Sequence, residues 1–192
     1  MLPPILEHIR KLGHRIFEKG DFNLNLFGIR ATTVRAGKFD DLIGCAYRDR
    51  GQWRIIVWEA TTDPGMYYLE NPLNVTGTAI LAPGQYRGAY TVGKHRGQYT
   101  ALVQSGPVTV YRDDTLDSDL SIDPTTLETG YFGINIHRSS STGQSTEVAN
   151  YSAGCQVHAT LQGFKEMMNL VDAQIAAGHG DKFTYTLLDQ WW

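Results

Sequence analysis

Apolar residues recur at helical spacing in two segments of the chain, one near each end. In residues 5–18 and again in residues 160–177, apolar positions are three or four residues apart, so they share one face of a helix. Gly20 follows the first segment as a break, and Gly178 follows the second as a cap. The two apolar faces consist of Ile5, Ile9, Leu12 and Ile16, then Leu161, Phe164, Met168, Val171 and Ile175. The pattern predicts two amphipathic helices.

Outside these helices the pattern is typical of β-strands. Short runs of β-branched and aromatic residues, some alternating with polar residues, are separated by Gly and Pro turn signals. Polar stretches, the longest at 113–130 and 139–150, predict solvated loops. The strand-like runs are residues 22–30, 40–49, 52–62, 76–82, 88–93, 99–104, 107–112, 130–138 and 181–190. The predicted fold class is therefore α+β and mainly β, with flanking helices.

Composition and charge narrow the possible functions of the 192 residues. The net charge of −3 supplies no global basic field, so nucleic acid is not an expected partner. No run approaches the roughly 18 apolar residues that a membrane span needs. The first 20 residues carry charges every few positions and lack the apolar region of a signal peptide.

The two cysteines lie in different sequence contexts. Cys45 lies in a strand-like run and is predicted to be a buried core residue. Cys155 lies in YSAGCQV, where small residues allow a tight turn before an apolar run. The cysteines lack the CxxC spacing of a zinc site, and a Cys45–Cys155 disulfide stays an open alternative.

A nucleophilic role for Cys155 requires a group that takes up its proton. An unperturbed thiol is only a few per cent thiolate at neutral pH. His137 precedes Cys155 by eighteen residues and ends the strand-like run GINIH, so two adjacent strands joined by a loop can bring the side chains together. The amides of Gly154 and Cys155 then lie at the turn, where they can stabilise an oxyanion. We predict a Cys–His dyad with an amide oxyanion site.

The segment GINIHR…YSAGCQV resembles the signature of the L,D-transpeptidase catalytic domain. In that family a strand ends in a histidine, and a Ser/Thr-x-Gly-Cys turn follows after some fourteen to seventeen residues. Here fourteen residues separate His137 from Ser152, which begins the turn. The match covers residues 131–157, with a looser likeness over 77–192. The resemblance implies a β-sandwich or barrel with a helix after the cysteine.

The resemblance also implies an activity, which is acyl transfer on the stem peptides of peptidoglycan. Cys155 would attack a carbonyl and His137 would accept the thiol proton. The resulting thioester would pass to an amine in transpeptidation or to water in hydrolysis. No metal or organic cofactor is implied. We expect a single domain over 1–192, in which 77–192 is the catalytic-type region and 1–76 has an unclear role.

Other residues are candidates for support of the dyad and for substrate binding. The hydroxyls of Ser139 and Ser152 are candidates to orient the imidazole, although a backbone carbonyl can do the same. Asn135 lies two residues before His137 and shares its face of the strand. Charged residues near the cleft are candidates to bind the carboxylates of a stem peptide. The candidate substrate-binding residues are Arg138, Asn135, Tyr131, Arg87 and His95.

The residues that flank the motif leave two alternatives open. The family usually has glycine where this chain has Arg138, often has histidine at Ala153, and favours arginine or asparagine at Val157. These differences favour a second hypothesis, a non-catalytic structural or binding domain of a phage particle or secretion apparatus. A third hypothesis is a Cys–His hydrolase that acts on other amides. Since no signal peptide or anchor is recognised, we expect a protein that is cytoplasmic when made and either phage-associated or delivered to the cell wall.

Overall fold

A computed structural model describes residues 1–32 and 36–192, and these form eleven strands and three α-helices. The helices are α1 (Pro4–Lys11), α2 (Met66–Glu70) and α3 (Leu161–Ala176), and a short 3-10 helix spans Pro124–Thr126. The first six strands are β1 (Asn25–Arg30), β2 (Asp41–Asp49), β3 (Gln52–Thr61), β4 (Thr78–Leu81), β5 (Gly84–His95) and β6 (Tyr99–Gln104). The others are β7 (Val108–Asp113), β8 (Glu128–Gly130), β9 (Ile136–Arg138), β10 (Gln156–His158) and β11 (Lys182–Asp189). The prediction of a mainly β, α+β fold is confirmed.

Eight strands close into a barrel in the order β1-β11-β5-β6-β9-β10-β3-β2. Two neighbouring pairs are parallel, β1 with β11 and β9 with β10, and the remaining pairs are antiparallel. The other three strands form a separate sheet in the order β4-β7-β8. Residues 1–76, which show no family signal, supply three of the eight barrel strands.

The barrel encloses the main hydrophobic core, and α3 packs against it. Tyr90, Phe183 and Tyr185 are among the largest fully buried side chains. Phe164 and Met167 of α3 belong to the same cluster. Burial of such side chains stabilises the fold by about 1.5–3 kcal/mol each. The prediction of a helix over 160–177 is confirmed.

The N-terminal helix is shorter than the predicted segment 5–18, because it ends at Lys11. Gly13 has a φ of 80°, and its amide donates to the Arg10 carbonyl. The His14 amide donates to the Ile9 carbonyl, so the chain leaves the helix in a glycine-centred cap. The prediction is wrong beyond Lys11, since the left-handed glycine outweighs the apolar spacing.

The parallel pair β9 and β10 positions the motif residues. Only Ile136–Arg138 of the predicted strand 130–138 pairs in the barrel, because the chain turns at Gly133 with a φ of 73°. Val157 is paired with His137, and the Gln156 amide donates to the Asn135 carbonyl.

Within the described residues, no helix is both long enough and apolar enough to cross a membrane.

Candidate active site

The turn before β10 depends on Ser152 and Gly154. Gly154 has a φ of 114°, and an added Cβ would lie 2.2 Å from the Ala79 carbonyl oxygen, so only glycine fits. The buried Ser152 hydroxyl donates to the Cys155 carbonyl at 2.8 Å and accepts from the Gly154 amide at 3.2 Å. The Gly154 amide is therefore engaged within the turn rather than free for an oxyanion, which corrects the prediction for that residue.

Cys155 lines a cavity, and its thiol is free, so the alternative of a Cys45–Cys155 disulfide is wrong. Its Sγ accepts from the Asn135 amide and donates to the Gly133 carbonyl, both at 3.4 Å. Burial raises the pKa of Cys155 to about 11, while the Asn135 amide and the Arg96 charge act in the opposite direction. The resting group is therefore a protonated thiol that needs a base during attack.

The His137 imidazole is held in one tautomer by its neighbours. Its Nδ1 lies 2.7 Å from the Arg138 carbonyl oxygen and 3.1 Å from the Tyr99 hydroxyl. A carbonyl can only accept, so Nδ1 carries the proton and Nε2 has a free lone pair. Nε2 is buried and has no hydrogen-bond partner among the described residues. The pKa of His137 is lowered to about 3 by burial and by the neighbouring His95, so the ring is neutral.

Strand register places Cys155 and His137 on one face of the sheet. Val157 is paired with His137, and Cys155, which directly precedes β10, lies two residues before Val157 and hence on the same face where the chain is extended. Sγ and the imidazole make no hydrogen bond to each other within the part of the chain that the structure describes. Catalytic hydrogen bonds in unliganded sites are often long and tighten with substrate.

Two cavities at the site share His95 and Arg96 as lining residues. The thiol cavity has a volume of about 470 Å³ and the imidazole cavity about 410 Å³. The thiol cavity is also lined by Cys155, Asn135, Tyr131 and Arg112, and the imidazole cavity by His137, Arg138, Tyr99 and Ser139.

The charges that line the two cavities are positive. Arg96, Arg112 and Arg138 contribute guanidinium groups, and none of the described lining residues is acidic. The Arg112 guanidinium is paired with Glu128, which lies outside both cavities. In a chain with a net charge of −3, this local excess indicates an anionic ligand such as a carboxylate.

The structure brings together most, but not all, of the predicted site residues. The Ser139 hydroxyl donates to the Ala159 carbonyl, so the imidazole is oriented by a backbone carbonyl rather than by Ser139 or Ser152. Arg87 lines neither cavity and lies eight residues before His95 on β5. Its predicted role in substrate binding is therefore not supported by its position.

Sequence reasoning missed Tyr99. Its hydroxyl contacts Nδ1 of His137 and donates to the Arg138 carbonyl at 3.2 Å, while the Arg138 guanidinium lies 4.1 Å above its ring. Tyr99 begins a strand thirty-eight residues before the histidine, so no local spacing connects the two. It completes the set of groups that fix the imidazole.

Searches against known protein families, curated proteins and solved structures found no match to this chain. The likeness to L,D-transpeptidases therefore rests on the motif residues. Within the described residues, no group of three or more His, Cys, Asp or Glu side chains is arranged to hold a metal ion. Fold and site define a class, a barrel protein with an imidazole on one strand and a thiol directly before the adjacent parallel strand.

The pH dependence of thiol alkylation tests the state of Cys155. Because its pKa is raised to about 11, the thiolate fraction and the rate of iodoacetamide alkylation should rise about tenfold per pH unit from pH 6 to 9. Cys45, which is fully buried, should remain unlabelled and serves as the internal control. Peptide mass spectrometry resolves the two sites. A rate plateau near neutral pH would contradict the prediction, since the rate would then not follow the thiolate fraction that a pKa of about 11 sets.

Proposed function

We propose that this protein is a cysteine acyl-transfer enzyme that acts on peptidoglycan stem peptides. The observation that carries the proposal is the pairing of β9 with β10, which supports Cys155 and His137 on one face of the sheet, each lining one of two cavities that share His95 and Arg96. An L,D-transpeptidase-like architecture and delivery to the cell wall are part of the same proposal.

The proposed reaction starts from the neutral thiol of Cys155 and the neutral imidazole of His137. As Sγ of Cys155 attacks the substrate carbonyl carbon, its proton moves to Nε2 of His137, and the carbonyl π electrons move to oxygen. Collapse of this oxyanion breaks the carbon–nitrogen bond, and the departing amine takes the proton from His137. The thioester is then attacked by an amine or by water, again with His137 as the base.

The substrate class is supported by charge and by the motif. The guanidinium groups of Arg96 and Arg138 suit the carboxylates of a stem peptide. The spacing of His137 and the Ser152–Cys155 turn is that of the L,D-transpeptidase signature. Both observations favour a peptide that carries free carboxylates near the scissile amide.

Incubation with purified muropeptides tests the proposal. The wild-type protein should convert them, and Cys155→Ala should lose this activity because no sulfur remains to form the thioester. Mass spectrometry distinguishes the outcomes, since transfer joins two peptides with release of the leaving amine, whereas hydrolysis splits one peptide into two products whose masses together exceed it by one water. Cys45→Ala is the control that removes the other thiol. Equal conversion by wild type and Cys155→Ala would contradict the proposal.

A second candidate is a non-catalytic structural or binding domain on the same scaffold. It is favoured by the raised pKa of Cys155 and by the lack of a hydrogen bond between Sγ and the imidazole in the described residues. On this reading the protein binds muropeptides without converting them, and Cys155→Ala binds them equally well. Equilibrium binding measured beside the conversion assay separates the two candidates.

A further inference from the structure

A second histidine ring lies directly against the proposed base. The ring centroids of His95 and His137 are 3.9 Å apart, with an interplanar angle of 24°. His95 ends β5 and is only 6% exposed, yet it lines the same cavity as Cys155. The motif does not include this residue, for which the sequence predicts only a contact with substrate, and the proposed dyad does not use it.

The hydrogen bonds of Asn135 fix the proton on His95. The Asn135 Oδ1 accepts from the backbone amide of Gln104 at 2.9 Å, so this atom is the oxygen and the other is the NH₂ group. That NH₂ nitrogen lies 3.1 Å from Nδ1 of His95. Since an NH₂ group donates, Nδ1 must accept, and the ring proton of neutral His95 is on Nε2.

The two stacked rings therefore differ in their hydrogen-bonding roles at Nε2, where one accepts and the other donates. His137 carries its proton on Nδ1 and offers a lone pair at Nε2, whereas His95 carries its proton on Nε2 and offers a donor. The Nε2–H of His95 has no protein partner among the described residues. Burial, with smaller effects of Arg96 and Arg138, lowers the pKa of His95 to about 4 and keeps this donor neutral.

We propose that His95 is a further catalytic residue, whose Nε2–H donates a hydrogen bond to the carbonyl oxygen that Cys155 attacks. The proton stays on His95 throughout, and the bond strengthens as the carbonyl electrons move to oxygen. This inference rests on the proposed function, because it takes Cys155 as the nucleophile and His137 as the base.

The Ser152–Cys155 turn leaves few backbone amides free to stabilise an oxyanion. The Gly154 amide is used by Ser152, which leaves the Cys155 amide as the backbone donor at the nucleophile. An oxyanion is usually stabilised by two or more donors, and loss of one costs about 10²–10³ in rate. A neutral imidazole on a ring fixed by Asn135 supplies a second donor without a reorganisation cost.

Comparison of acylation with alkylation tests the role of His95. Acylation of Cys155 by p-nitrophenyl acetate passes through an oxyanion, whereas alkylation by iodoacetamide does not. In His95→Phe, which keeps a ring against His137, acylation should fall about 10²-fold while alkylation changes less than about threefold. His95→Gln, which restores an N–H donor, should recover part of the loss. Cys155→Ala gives the background for both reagents.

The outcomes separate this inference from the proposed function. If both rates in His95→Phe are unchanged, or both fall together, His95 is not an oxyanion donor and the inference is overturned. If His137→Gln leaves acylation of Cys155 unchanged, the proposed dyad fails, and the inference that rests on it fails with it. Both reagents act without a peptide, so an incorrect substrate class affects neither reading.

Nitrogen NMR provides a test that needs no activity. In ¹⁵N-histidine-labelled protein at pH 7, long-range proton–nitrogen spectra should show His95 protonated at Nε2 and His137 protonated at Nδ1. The variants His95→Phe and His137→Gln assign the two spin systems. A His95 ring protonated at Nδ1 would overturn the inference even if every substitution at this position disturbed folding.

Discussion

Replacement of His137 by glutamine is expected to lower the rate of muropeptide conversion by about 10²–10⁴-fold. Glutamine retains a polar side chain, but it has no lone pair basic enough to take the thiol proton. Since burial raises the pKa of Cys155 to about 11, the thiol has little thiolate of its own to compensate. Initial rates from chromatography of the muropeptide products measure the effect.

A matched control and a contrasting variant sharpen this prediction. His14 lies outside both cavities, so His14→Gln should retain the wild-type rate. Tyr99→Phe removes one partner of the His137 ring but leaves the Arg138 carbonyl, so its loss should be smaller than that of His137→Gln. If His137→Gln retained full activity with an intact fold, a base other than His137 would have to serve Cys155.

Local sequence patterns predicted the elements that carry strong periodicity or clear turn signals. The helix after the cysteine and the strand at 99–104 lie where apolar spacing predicts them. Closure of the barrel was not predictable at the same level. It depends on the pairing of β1 with β11 and of β3 with β10, which joins segments more than ninety residues apart. Such pairing leaves no periodic signal in either strand.

The site was predictable to the same extent. The spacing of His137 and Cys155 can be read from the sequence, because it corresponds to β9, the following loop and the start of β10. The tautomer of His95 depends on Asn135, forty residues later, and the orientation of His137 depends on Tyr99. Arg87 lines neither cavity although it is on the same strand as His95, because it lies eight residues away from the strand end that His95 occupies.

A buried charge network supports the cysteine turn from inside the fold. Nε of Arg30 lies 2.8 Å from the Asp63 carboxylate, and both side chains are less than 5% exposed. The Nε–H of Arg30 donates to the Thr62 hydroxyl at 3.2 Å. The contact between Arg30 and Asp63 is therefore an ion pair rather than an aligned hydrogen bond. The Thr62 carbonyl accepts from Arg30 and from Gln156, the residue after Cys155.

Asp63→Ala is expected to destabilise the protein by about 3–5 kcal/mol, because it leaves the Arg30 charge buried without its partner. Burial raises the pKa of Asp63 to about 6 despite the opposing effect of Arg30, so the carboxylate is ionised at pH 7.5 and the ion pair is intact there. Urea unfolding at pH 7.5, followed by tryptophan fluorescence, gives the free energy of unfolding for both proteins.

The control is an exposed ion pair between a basic and an acidic side chain. Lys38 and Glu147 are 3.4 Å apart and more than half exposed, so Glu147→Ala should change the free energy of unfolding by less than about 1 kcal/mol. The two variants remove comparable pairs that differ in burial, so their difference isolates the cost of an unpaired buried charge. Equal effects would show that Arg30 finds water or another acceptor when Asp63 is removed.

Because Thr62 links Arg30 to Gln156, we also expect Asp63→Ala to slow conversion of muropeptides, whereas Glu147→Ala should not.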